Sequence, residues 1–160
     1  MDRCSSVSYA DLEDPDAAWR TLIPSYETPV QYSSISCDHV VGAPALTIHL
    51  ALAVGRSFLP SESRGPVDVH RTDVYEVSVW RISPMFDENG LIDGLHADRL
   101  SYFRPTKGLN SMKIQGEYII FTRENPSSVY TVVRWVEADN RNDYPRRIVY
   151  HTGCTVGLLM

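Results

Sequence analysis

Lysine is nearly missing from this chain: of 15 basic residues, 13 are arginine, and Lys107 and Lys113 complete the set. Cysteine is scarce too. Cys4, Cys37 and Cys154 are an odd number at wide spacing, which excludes a disulfide framework and a closely spaced zinc pair. Reduced thiols fit an intracellular setting, cytoplasmic or nuclear. The longest strongly apolar run, Ala43 to Val54, contains Pro44, Thr47 and His49 and falls short of the roughly 20 residues that span a bilayer, so no transmembrane segment is expected. The opening Met1-Asp2-Arg3-Cys4-Ser5-Ser6 lacks the apolar stretch of a signal peptide. The one Asn-x-Ser match, Asn125-Pro126-Ser127, is blocked for glycosylation by its proline.

Signature motifs are missing as well. There is no Gly-rich phosphate loop, Gly-x-Gly-x-x-Gly, Gly-x-Ser-x-Gly or His-Glu-x-x-His, so the common nucleotide, hydrolase and zinc-protease classes lose their usual support. Nothing calls for a cofactor or a metal. With a net charge of −5 and no basic run longer than Arg146-Arg147, the chain is poorly suited to nucleic acid as a partner.

What is present describes one ordinary domain. The chain has 160 residues, 43% of them hydrophobic, which is enough to bury a core without covalent help. Residues 1–27 are its acidic part, with Asp2, Asp11, Glu13, Asp14, Asp16 and Glu27 against Arg3 and Arg20. Asp14 as N-cap, Pro15 at the first helical position and Pro24 as a stop predict a helix of about two turns over Ala17 to Ile23. Such a helix is marginal alone, so Trp19, Leu22 and Ile23 are expected to dock on something larger.

Residues 28–160 read as β-rich. Leu46, Ile48, Leu50, Leu52 and Val54 alternate with Thr47, His49, Ala51 and Ala53, giving a strand with one large face and one small face. Val74 to Ile82 is β-branched and aromatic on both faces, so that strand should be covered on both sides. Asp87-Glu88-Asn89-Gly90 is a hairpin turn that pairs Met85-Phe86 with Leu91-Ile92. Met112 to Thr122, Val129 to Val136 and Arg147 to Leu158 are three long β-type runs, read as an antiparallel meander. Val30 to Ile35 and Val67 to His70 are shorter pieces. The expected fold is mainly β: a single-domain antiparallel β-sandwich or barrel of about eight strands with one short N-terminal helix.

Two sets of residues are chemical candidates. His49 and His151 sit in apolar strands, and Glu117 alternates with Ile119 and Phe121; if the three met, they would form a general acid/base pair near neutral pH. Arg81, Arg134, Trp135, Tyr144, Arg146 and Arg147 would make an arginine and aromatic binding surface. Arginine's planar fork pairs with carboxylates and stacks on aromatic rings, which suits protein interfaces.

The leading expectation is therefore a non-enzymatic β domain that binds a protein partner or assembles with itself as a homo-oligomer, a viral-type structural or matrix-like protein being one version. The alternative is a small β-barrel enzyme or carrier enclosing an apolar ligand. It would use cofactor-free acid/base chemistry of the isomerase, cyclase or decarboxylase type, with the small face Thr47, Ala51 and Ala53 leaving room inside. Because much of the acid excess precedes residue 28, the N-terminal segment is further expected to dock on an arginine-bearing face.

Overall fold

Alternation of large and small side chains along one central strand organises the whole molecule. The computed structural model describes residues 6–10, 16–24, 30, 32–43, 46–58, 72–105, 109–123, 129–138, 146–152 and 155–157. Its strands are β1 (Val7–Tyr9), β2 (Arg20–Ile23), β3 (Tyr32–His39), β4 (Ile48–Phe58), β5 (Thr72–Phe86), β6 (Ile92–Phe103), β7 (Leu109–Gln115), β8 (Tyr118–Arg123), β9 (Val129–Arg134), β10 (Arg146–Thr152) and β11 (Thr155–Gly157), with a 3₁₀ turn at Trp135–Glu137. They form a two-stranded sheet β1-β2, a four-stranded sheet β3-β4-β5-β6 and a five-stranded sheet β11-β10-β9-β8-β7, all antiparallel.

The arrangement is sandwich-like, with the four-stranded sheet in the middle. Ala51 and Ala53 of β4, Val77 and Val79 of β5 and Phe103 of β6 pack against Leu109, Met112 and Ile114 of β7, Ile119 and Phe121 of β8 and Val133 of β9. The small face is thus where the two larger sheets meet closely, and its alanines admit the bulkier residues opposite. On the other side Leu50, Leu52, Val54 and Ile82 pack with Ile23 and Val30, flanked by Val7, Leu22, Leu95 and Ala97. Burying each such side chain contributes about 1.5–3 kcal/mol. The central strand β5 is covered on both faces, as its composition implies.

No helix forms over the described part of 17–23. Residues 20–23 are instead strand β2, paired with β1, and Trp19 is 73% exposed rather than docked. A two-turn helix has few internal hydrogen bonds, whereas the strand buries Ile23 against β4 and pairs its backbone. The run Met112 to Thr122 is likewise two strands. Gly116, at φ +53°, makes with Glu117 a tight turn between the paired Gln115 and Tyr118. The Asp87 to Gly90 turn is present as expected, and Phe86 faces Ile92 across it. Val67 to His70 lies outside the described residues. Among the described residues, no helix is long and apolar enough to cross a membrane.

Among the described residues the N-terminal layer docks through apolar side chains, while Asp2, Asp11, Glu13, Asp14 and Glu27, on which docking on an arginine-bearing face would rest, lie outside them. Ile23 is buried, while the cation at the contact, Arg20, lies on the N-terminal hairpin and donates to the Asp93 carbonyl at 2.7 Å. Tyr9 Oη accepts the Leu95 amide at 3.1 Å. These two side chains satisfy outward backbone groups of the β6 edge that a further strand would otherwise use. Leu95 turning its amide outward also explains Pro84, its cross-strand partner. In such a pair both residues face away from each other, and β4 ends opposite Ile82, so the missing proline N–H faces no strand.

Candidate functional site

Four ionisable residues stand directly opposite one another across the central sheet. Asp38 of β3 pairs in register with His49 of β4, His49 with Arg81 of β5, and Arg81 with Asp98 of β6. A bulge at Leu100 sets the last pairing: Val79 faces Ser101 while Trp80 faces Arg99. If β6 instead continued past Ser101 in unbroken register, Leu100 would face Trp80 and Arg99, a like charge, would stand opposite Arg81. Arg81 Nη2 instead donates to Asp98 Oδ2 at 2.9 Å, and His96 Nε2 lies 2.9 Å from Asp98 Oδ1. These partners hold the Asp98 carboxyl below the usual carboxylate range, the Arg81 hydrogen bond foremost.

His49 is half-buried with its ring edge against Trp135, the centroids 5.0 Å apart and the planes at 75°. Burial lowers its imidazole pKa first; Asp38 acts to raise it and Arg81 to lower it. Trp135 is fixed in turn, because its Nε1 donates to the Gly116 carbonyl at 2.9 Å and its backbone amide to the Glu117 carbonyl at 3.0 Å. Asp38 closes the circuit by accepting the Gly116 amide at 2.5 Å and the His39 amide at 3.0 Å. One step along the same strands, Ser36 Oγ accepts the Ile114 amide at 3.0 Å. The edges of β3 and β7 are therefore joined by side chains at a two-residue period, and the sandwich is closed at this corner without a backbone ladder.

The structure gathers several of the residues singled out from sequence at this corner and separates others. His49, Arg81 and Trp135 belong to it. Glu117 stands at the adjoining turn, half-exposed, and its carboxylate accepts from Arg134 Nε at 2.9 Å and Nη2 at 2.7 Å. Arg134 also pairs with Glu137, and these carboxylates raise its pKa, Glu117 first. The carboxylate acting on His49 is thus Asp38, while Glu117 serves Arg134. His151 is placed by its backbone on β10 opposite Val156, in the other sheet. Arg146 and Arg147 pair with Val133 and Val132 on β9 and are exposed. Tyr144 lies outside the described residues. Cys37 is exposed, and desolvation raises its thiol pKa, the opposite of activation for nucleophilic work.

A second surface escaped the sequence reading. Beyond the end of β4 the β5–β6 hairpin projects past the sheet, and its side chains Met85, Phe86, Leu91 and Ile92 are 45%, 54%, 68% and 59% exposed. Beside it an open cleft of about 620 Å³ runs between the N-terminal hairpin and β6, lined by Tyr9, Ala18, Arg20, Ile92, Asp93 and Gly94 among others. Trp19, between Ala18 and Arg20 in the chain, is exposed and is not part of the cleft lining. Gly94 permits the close approach of the two hairpins, since a Cβ there would stand 3.1 Å from both Tyr9 Oη and Met85 Cε. The hydrophobic residues were legible in the sequence as two adjacent pairs flanking a turn, a pattern equally suited to a buried hairpin. Only the end of β4 at Ile48, opposite Ile82, leaves them uncovered.

Compared with protein-family models, with curated proteins and with solved structures, the chain gives no significant match.

Proposed function

We propose that this chain is a β domain whose role is to bind a protein partner or assemble through the β5–β6 hairpin tip and the adjoining cleft. The observation that carries the reading is the apolar tip. Soluble chains seldom leave contiguous apolar patches beyond a few hundred Å² open to water. The four tip residues together expose roughly 400 Å², about half of the roughly 800 Å² each side gives to a standard interface. The β3–β4 turn, at the same end of the sheet, adds exposed Val41 and Leu46.

The acid/base alternative draws its support from His49 beside Asp38, yet the pieces are arranged against it. The space between the large sheets at the small face is filled by Val77, Val79, Phe103, Ile114 and Phe121, and Glu117 is committed to Arg134. The cleft lies against the N-terminal hairpin, and neither His49 nor Glu117 lines it.

A photo-crosslinking residue at position 86 or 92 tests the reading, with position 35, also exposed on a strand, as control. Adducts from 86 and 92 and none from 35, abolished by placing Leu91→Asp in the same chain, are the expected result. A chain that stays monomeric by light scattering and crosslinks equally or not at all from the three positions would refute it.

A further inference from the structure

We infer that the tip and cleft receive a basic, amphipathic segment of another protein rather than a second copy of this chain. This rests on the binding role proposed above and adds the chemistry of the partner. Among the described residues at the tip and the facing wall of the cleft, the acids Asp87, Glu88 and Asp93 stand beside one cation, Arg20. Asp87 is held ionised, its carboxyl pKa depressed by the Leu91 amide at 2.8 Å and then by the Asn89 amide at 2.9 Å.

Apolar side chains ringed by acids suit a segment that alternates apolar residues with lysine or arginine. An aromatic ring acts in the same direction. Phe86 is exposed at the tip, and an aromatic face attracts cations over its ring. A second copy meets the opposite situation. A two-fold contact through the tips would gather two sets of Asp87, Glu88 and Asp93 in one interface, and like charges juxtaposed there cost several kcal/mol.

The mode of contact follows from the β6 edge. The Leu95 amide and Asp93 carbonyl, which an added strand would use, are taken by Tyr9 and Arg20. The segment therefore lies on side chains and in the cleft instead of extending the sheet at 93–95. A cleft of about 620 Å³ is in the roughly 300–1,000 Å³ range of sites that enclose a small ligand.

The test uses the full chain and two fluorescent synthetic peptides, one alternating leucine with lysine and one alternating leucine with glutamate. Anisotropy gives the affinities, and backbone amide shifts give the location. The basic peptide is expected to bind at least about tenfold more tightly, a difference of about 1.4 kcal/mol. Its shifts should map to Met85–Leu95 and to the cleft residues Ala18 and Arg20. Phe86→Ser with Ile92→Ser should weaken it about tenfold, and Glu88→Gln with Asp93→Asn should weaken it and flatten its salt dependence. Equal affinity for the two peptides, or shifts that map elsewhere, would overturn the inference. A dimer broken by the Phe86→Ser, Ile92→Ser chain would also overturn it while leaving the binding role intact. If these substitutions change neither peptide binding nor any association, both fall together.

Discussion

Removing the Asp38 carboxylate should loosen one corner of the sandwich and retune one histidine, and the two effects can be read separately. In Asp38→Ala the Gly116 and His39 amides lose their acceptor. Hydrogen bonds to a charged acceptor contribute about 1.5–3 kcal/mol, but Gly116 and His39 are exposed, so water takes over both amides and the cost stays near the lower bound. About 1.5 kcal/mol in a chain of this size lowers Tm by roughly 3–6 °C. Hydrogen exchange should accelerate at Gly116, while the Ile114 amide, held by Ser36, keeps its protection. Asp38→Asn isolates the charge. Burial already holds the His49 imidazole below the ordinary value of 6.5, Asp38 raises it, and Arg81 lowers it. Without Asp38 the NMR titration of His49 should move further down. The sign for stability follows. The fold prefers neutral His49, so its contribution is complete above the unfolded pKa of 6.5 and declines as pH falls from there towards the folded value. Asp38→Asn should extend that decline to lower pH. An unchanged or raised His49 titration, or exchange at Ile114 accelerating as much as at Gly116, would refute the account of this corner.

Thr131 of β9 is buried and its Oγ1 has no hydrogen-bond partner among the described residues, so Thr131→Val, which keeps the shape and removes the hydroxyl, should stabilise the chain by about 1 kcal/mol in urea unfolding. Gly94→Val should push against Tyr9 Oη and Met85 Cε; the methionine end can swing aside, but the tyrosine is tied to Leu95, so the N-terminal hairpin shifts. The expected cost is about 1–3 kcal/mol, with faster exchange of the Leu95 amide as the specific sign. Arg81→Ala removes an exposed ion pair and should change stability by no more than about 1 kcal/mol, yet it should raise the NMR titrations of both Asp98 and His49.

Local chemistry was enough to read much of the central sheet. The β4 alternation, the two-sided β5 and the Asn89-Gly90 turn each follow from a period of two or from one turn that needs glycine, and each is in the structure. The N-terminal hairpin was not legible. Asp14, Pro15 and Pro24 are sound helix signals, but they describe a segment in isolation, and burial of Ile23 against β4 outweighs two turns of helix. Gly116 was hidden inside an apolar run because one glycine can mark a bulge or a reversal, and the choice depends on which strands lie alongside.

For the candidate sites the division is sharper. By itself the sequence determined the residue types: histidines in apolar strands, arginine in place of lysine, tryptophans suited to packing, and acids gathered early in the chain. Strand order decided which of them meet. His49 faces Asp38 and Arg81 because β4 lies between β3 and β5, and Asp98 reaches Arg81 because a bulge shifts β6 by one residue. The exposed tip has the same origin: β4 stops while β5 and β6 continue, so side chains that would be buried between sheets are left facing water. A side chain's type fixes what it can bond, but its partners come from strands distant in sequence, and that pairing is set by the packing of whole sheets.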